Sequence, residues 1–166
     1  LYGVDIRISS NKIKYMQSLQ EQLTTMLGKA VFALGDDSIE EIVVNKALEN
    51  DISLSIAESC TGGLIGHRIT QISGSSKIFK GSVVVYSNSS KVNLLGVDEN
   101  CITKHGAVSE ETAKETAYKV RQMFSSKLGL SITGIAGPDG GSKEKPIGLT
   151  YIGLSNKKET KVQKFQ

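Results

Sequence analysis

The chain has 166 residues, enough for one sizeable core and a small appendage, and its 39% hydrophobic content excludes a disordered chain. Its 20 basic and 17 acidic residues leave a charge of +3. The signs are interspersed, no basic run carries aromatics and tryptophan is absent, so nucleic-acid binding is disfavoured while a phosphate-bearing small ligand is readily accommodated.

In chain order, VDIRI at 4–8 alternates apolar and polar residues as a half-buried strand does. Met16, Leu19, Leu23 and Leu27 follow at the spacing of one helix face, and KAVFALG reads as a short strand closed by a glycine. Residues 1–35 are thus expected to form a small β-α-β appendage. Ser38 and Glu41 have the spacing of a capping box, opening a helix with Ile39, Ile42, Val43 and Ala47 as its buried stripe. DISLSIA reads as a strand whose alternate residues Ser53, Ser55 and Ala57 are small, as a closely packed helix would require. Ile65, Ile69 and Ile72 then recur at helical spacing, and GSVVVYSN has the near-continuous apolar character of a buried strand.

Ser109 is the expected cap of a long helix turning Ala113, Ala117, Val120 and Phe124 to the core. GLSITGIAG and GLTYIGLS read as strands separated by GPDGGSKEKP, and TKVQKF as one more. Helices precede, separate and follow strands. That order predicts a three-layer α/β/α sandwich over 36–166 with a mixed, largely parallel sheet. Such sheets bind ligands beyond the carboxyl ends of their strands, where the polar segments near 59–63, 86–91 and 133–142 would converge.

Cys60 and Cys101 are the only cysteines, which suits a reducing compartment better than a disulfide scaffold. No apolar run has the length of a membrane span and no signal peptide is visible, so a cytoplasmic location is expected. The phosphate-loop and dinucleotide fingerprints are absent, and no metal-ligand spacing occurs, so neither a metal nor a cofactor is expected. The chain begins at Leu1, which is read as a piece of a longer product.

The bend AESCTGG, 57–63, lies where a strand hands over to a helix. Free N–H groups at such a place hold an anion or a developing oxyanion, and Gly62 and Gly63 let the chain turn tightly. A serine there is a nucleophile only beside a base. His67 fits better as a helix surface residue and His105 as a structural loop residue. Lys91, just past the GSVVVYSN strand, becomes a base if shielded from water, and Tyr86 at the same strand end can hydrogen-bond. Plainer readings stand beside these. Ser59 and Thr61 suit helix caps, Cys60 a small hydrophobe, Glu58 a surface or ligand-orienting carboxylate and Lys91 a surface lysine. The stretch 133–142 reads as a flexible connection or as a cradle for phosphate or ribose, with Asp139 a ribose or amide partner.

AESCTGG at 57–63, GSS at 74–76, the run from Phe79 to Val97, HGAVSEETA at 105–113 and the block 131–154 together resemble the CinA C-terminal domain family. The resemblance covers about two-thirds of the chain. It implies a nicotinamide mononucleotide deamidase of the PncC kind, which converts a carboxamide to a carboxylate and releases ammonia. It implies Ser59, Lys91 and Tyr86 as catalytic residues. The expected substrate-binding set is Glu58, Cys60, Thr61, Gly62, Gly63, Thr133, Gly134, Gly137, Asp139, Gly140, Gly141 and Ser142. A small-molecule nucleotide is the implied partner, with no nucleic acid or membrane, and a homo-oligomer is compatible with the reading. Residues 1–35 resemble the end of the CinA middle region, which implies a longer protein with an upstream molybdopterin-binding-like domain. Family members usually run on past the last strand into a glycine- and arginine-containing turn and a final helix, so 36–166 is expected to be truncated. The rival readings are a non-catalytic nucleotide-binding or regulatory module and a generic serine amidase acting on peptides.

Overall fold

The computed structural model describes residues 4–166, divided into two compact units at Val43 and Val44. The first unit contains helix α1, Ile13–Leu27, closed by Gly28 at φ 52°, a backbone setting that favours glycine. Met16, Leu19 and Leu23 form its partly shielded stripe, but no residue of α1 is buried. The expected strands on either side do not form: 4–8 is irregular, and 28–30 is a 3-10 turn followed by irregular chain. Alternation makes a strand only where a neighbour completes the ladder. Val4, Ile6, Phe32 and Leu34 all remain exposed.

Helix α2, Ile39–Glu49, opens as its sequence requires. Ser38 Oγ accepts from Glu41 N at 3.2 Å, and Glu41 Oε2 accepts from Ser38 N at 2.7 Å. Its buried residues are Val44 and Ala47. Of the expected stripe, Ala47 is buried and Ile42 half-buried, while Ile39 and Val43 are exposed and Val44 takes the buried place.

The second unit is a five-stranded sheet between helices. Its strands are β1 Leu54–Glu58, β2 Phe79–Val84, β3 Leu128–Gly134, β4 Thr150–Ser155 and β5 Thr160–Phe165, in the order β2-β1-β3-β4-β5. β1 pairs in parallel with β2 and with β3, whereas β3–β4 and β4–β5 are antiparallel. The sheet is mixed as expected, but its parallel part is confined to the three strands at one side. β2 is an edge strand and only partly buried, contrary to the buried strand its apolar run suggested.

Small residues decide how closely the layers approach. Helix α6, Glu110–Met123, is capped by Ser109, whose side chain accepts from Thr112 N. It turns Ala113, Ala117 and Val120 to the sheet. Ser55 Oγ donates to the Val120 carbonyl at 3.1 Å, and Ser131 Oγ to the Ala113 carbonyl at 2.6 Å. A Cβ on Gly153 would lie 2.6 Å from that same Ala113 oxygen. The small face of β1 therefore exists because a helix backbone lies on it.

Opposite residues of the strands, Leu54, Ile56 and Ile132, pack with Val44 and Ala47 of α2 and with Ile69 of α3, Leu64–Thr70. Two short helices, α4 Asn88–Asn93 and α5 Glu99–His105, connect β2 to α6. Val85, Leu95, Val97 and Ile102 from this connection join Ala57 and Val120 in a second core cluster. The architecture is the expected helix–sheet–helix sandwich. Among the described residues, no helix is long and apolar enough to cross a membrane.

Candidate functional site

The carboxyl ends of the three parallel strands place the bend after β1 beside the chain leaving β2 and the end of β3. Ser59 follows β1 directly and is 8% exposed. Its N–H donates to the Ile132 carbonyl of β3 at 3.1 Å, and its own carbonyl accepts from Gly62 N at 3.1 Å. Gly62 and Gly63 have φ 61° and 100°, which lets the chain reverse within four residues and enter α3.

Lys91 comes to this serine from α4. Its Nζ lies 3.2 Å from Ser59 Oγ and donates to the Val85 carbonyl at 2.7 Å and to the Tyr86 carbonyl at 3.2 Å. The residue is 1% exposed, so the surface reading of Lys91 does not hold. Burial pushes the amine below the usual lysine range, with Cys60 opposing more weakly. The amine donates to three oxygens, those of Ser59, Val85 and Tyr86; after loss of one proton, two N–H bonds suffice for the carbonyls and the lone pair is free to face the Ser59 hydroxyl. The register of α4 follows from Ser87, whose hydroxyl caps it by accepting from Ser90 N at 3.0 Å. Tyr86 contributes its carbonyl, while the residue is 73% exposed.

Glu58 takes a different place from the surface or ligand-orienting carboxylate of the sequence reading. It is 0% exposed, and its oxygens accept from Gly63 N at 3.1 Å, Ile65 N at 3.1 Å, Gly66 N at 2.8 Å and Ser82 Oγ at 3.2 Å. Burial alone would push its carboxyl up; the donors from Gly66, Ile65 and Ser82 outweigh this and hold it below the usual range. The first turn of α3 is thus filled by the protein's own anion. Thr61 Oγ1 is buried with no hydrogen-bond partner among the described residues, yet it stands near enough to help hold Glu58 ionised.

Of the N–H groups at the bend, that of Gly62 donates to the Ser59 carbonyl. Those of Cys60 and Thr61 donate to no oxygen among the described residues. The Cys60 thiol is half-buried, and burial pushes it above the usual thiol range, so it stays protonated.

Thr133 and Gly134 border the bend from β3. Thr133 Oγ1 donates to the Ala107 carbonyl at 2.9 Å, and a Cβ on Gly134 would sit 3.2 Å from Cys60 Sγ. Beyond them the chain from Gly137 to Ser142 is largely exposed. Ser142 N donates to the Lys145 carbonyl at 2.8 Å, and Lys145 Nζ to the His105 carbonyl at 2.6 Å. Among the described contacts, none links Gly137, Asp139, Gly140, Gly141 or Ser142 to Ser59 or Lys91. His67 is exposed on α3, and His105 ends α5, paired with Glu111 at 3.3 Å. No group of three His, Cys, Asp or Glu side chains among the described residues is arranged to hold a metal ion.

Sequence reasoning missed Ser82, Gly66 and the Val85 carbonyl. Only Gly66 had a visible signal, a glycine inside a helical stretch. The other two act from positions that look like ordinary strand.

The fold and the bend define a class: an α/β/α sandwich with a buried serine–lysine pair beyond the carboxyl ends of its parallel strands. The chain belongs to the CinA C-terminal domain family, which matches residues 36–166. It is 46% identical over 148 residues to a CinA-like protein of Kosmotoga olearia, covering 89% of this chain and 36% of that protein. It is 45% identical over 141 residues to a CinA-like protein of Dictyoglomus turgidum, covering 85% of this chain and 34% of that protein. The chain therefore spans about a third of the length of these curated relatives. The crystal structure of a competence/damage inducible protein from Agrobacterium tumefaciens superposes with TM-score 0.72 at 36% identity, over 80% of this chain and 82% of that one. A competence or damage-inducible protein from Enterobacter asburiae gives TM-score 0.73 at 26% identity, over 78% and 84%.

Proposed function

We propose that this chain is a nicotinamide mononucleotide deamidase acting through Ser59 and Lys91. The observation that carries the reading is the 3.2 Å approach of Lys91 Nζ to Ser59 Oγ, with both side chains withdrawn from water. Neutral Lys91 takes the hydroxyl proton as Ser59 Oγ bonds to the carboxamide carbon. The oxyanion is received by the Cys60 and Thr61 N–H groups. The C–N bond then breaks, and the nitrogen leaves as ammonia with the proton returned by Lys91, or by Tyr86 as the family resemblance implies. Lys91 next takes a proton from water, whose oxygen attacks the acyl ester. The nicotinate carboxylate departs and Ser59 regains its proton. The positive pyridinium ring makes the carbonyl more electrophilic throughout. Thr133, Gly134 and the loop from Gly137 to Ser142 hold the ribose-phosphate end.

The protein is placed by this reading in pyridine nucleotide recycling in the cytoplasm, as the C-terminal part of a longer CinA protein whose boundary falls near residue 36. Ammonia release from nicotinamide mononucleotide, coupled to detection of nicotinate mononucleotide, tests it. Binding without turnover would favour a nucleotide-binding module, and equal turnover of peptide amides a generic amidase.

A further inference from the structure

We infer that Glu58 is a positioning residue that holds Ser59 in register with Lys91, rather than a group that touches substrate. The inference rests on the Ser59–Lys91 reading above and adds to it the element that keeps the two apart by the right distance. Glu58 is the last residue of β1, so its backbone is fixed by parallel pairing on both sides, with Val84 of β2 and Ile132 of β3. Its carboxylate reaches over the bend and receives the N–H groups of Gly63, Ile65 and Gly66. The chain from Glu58 to Gly66 is therefore a closed loop, fastened at one end to the sheet and at the other to the start of α3. Ser59 is the first residue inside that loop.

Two further contacts set the height of the closure. Ser82 Oγ donates to Glu58 Oε1 at 3.2 Å, tying the carboxylate to β2, the strand that leads on to Val85, Tyr86 and Lys91. Gly66 lets α3 come close enough: a Cβ there would lie 3.0 Å from Ser82 Cβ and 3.3 Å from Glu58 Oε1. One carboxylate thus joins the strand that carries Ser59, the helix that follows it and the strand that leads to Lys91. All four of its partners are neutral donors, and only an acceptor on both oxygens satisfies them. Glutamine has the right size but presents an N–H₂ group to N–H donors, so one side of the closure must open.

The experiment compares the wild-type chain with Glu58→Gln and Ser82→Ala. It uses steady-state ammonia release from nicotinamide mononucleotide and, independently, labelling of Ser59 by a fluorophosphonate probe read by mass spectrometry. Displacing a nucleophile by a fraction of an ångström to 1 Å lowers turnover by about 10- to 100-fold. Glu58→Gln is expected to lower kcat in that range with KM within about two-fold of wild type, and to slow labelling in parallel. Ser82→Ala, which removes one donor and leaves the backbone closure, is expected to lower both by about two- to five-fold at unchanged KM. Should Glu58→Gln fail to fold, Ser82→Ala decides alone. A rise in KM at unchanged kcat would overturn the inference by making Glu58 a substrate contact, as would wild-type kcat and labelling in the folded variants. If the wild type labels at Ser59 in a Glu58-dependent way but releases no ammonia, the deamidase reading falls and the positioning role stands. A wild type that neither labels nor turns over overturns both.

Discussion

Lys91 Nζ meets Ser59 Oγ at 3.2 Å while two main-chain carbonyls, Val85 and Tyr86, hold the amine from the other side. No carboxylate among the described residues forms an ion pair with this lysine. A buried amine with only dipolar partners gives up its proton far more readily than an exposed one. The pair therefore has the arrangement that the proposed reaction requires of its nucleophile and base.

Ser59→Ala is expected to lower turnover on the order of 10⁴-fold or more while leaving substrate affinity largely intact. Lys91→Ala should lower it on the order of 10²- to 10⁴-fold, the range for loss of a general base. Because both serve one proton transfer, the double mutant should be no worse than Ser59→Ala alone. Lys91→Arg should not rescue, since a guanidinium keeps its proton across the working range. Ammonia release, with fold checked by circular dichroism, measures all four. Near-normal turnover in folded Ser59→Ala would remove Ser59 from the reaction.

The lowered pKa of Lys91 has a sign in both activity and stability. Activity should rise with pH as Lys91 loses its proton, with the acid limb of kcat/KM below the ordinary lysine value of 10.5. Below its folded-state pKa, Lys91 is protonated in both states and the cost of burying the charge is felt in full. That cost is relieved as pH rises from the folded value toward the unfolded one, because only the unfolded chain still binds the proton there. Urea unfolding of wild type against Lys91→Met should therefore show the wild type gaining stability relative to the variant across that window. A pH-independent difference would place the amine in an ordinary aqueous setting.

Two adjacent glycines in the 137–142 loop should separate binding from folding. Gly140 has φ 88° and open space around its Cβ position, so Gly140→Val strains only the local turn, by roughly 1–2 kcal/mol. Gly141 packs on Ile147, where a Cβ would lie 2.9 Å from Cγ1 and 3.0 Å from the backbone nitrogen. Gly140→Val should raise KM several-fold with a small loss of thermal stability; Gly141→Val should lower stability more. Equal effects on KM and melting temperature at Gly140 would make the loop a structural connection.

Gly129→Ala tests the packing of α6 on the sheet without touching the site. The added methyl would overlap the Ala117 carbonyl and stand 2.6 Å from Arg121 Cβ. A backbone-to-backbone approach of this kind cannot be relieved by a rotamer change, so a loss of about 3 kcal/mol is expected in chemical denaturation. A loss below 1 kcal/mol would mean that α6 moves off the sheet at little cost.

The sequence by itself determined the local features whose causes lie within a few residues. The Ser38–Glu41 box, the Ser109 cap and the glycines of the bend were legible because each is a short-range requirement of hydrogen bonding or of steric clearance. The family was legible separately, through the resemblance of its motif blocks. What tertiary structure decided was every property that depends on a neighbour distant in sequence. VDIRI alternates as a strand does and KAVFALG reads as a short strand closed by a glycine, but among the described residues no partner completes a ladder with either. The apolar run of β2 became an edge because, among the described residues, only β1 pairs with it. Glu58, one residue before Ser59, looked like a surface or ligand-facing group and is a buried internal anchor, since the N–H groups of Gly63, Ile65 and Gly66 and the Ser82 hydroxyl converge on it. Lys91 lies thirty-two positions from Ser59; its place just past a strand end made it a candidate base, but only the fold decides between that and a surface lysine. Its burial, and with it the loss of affinity for a proton, arises only when parallel pairing of β1 and β2 brings their carboxyl ends together.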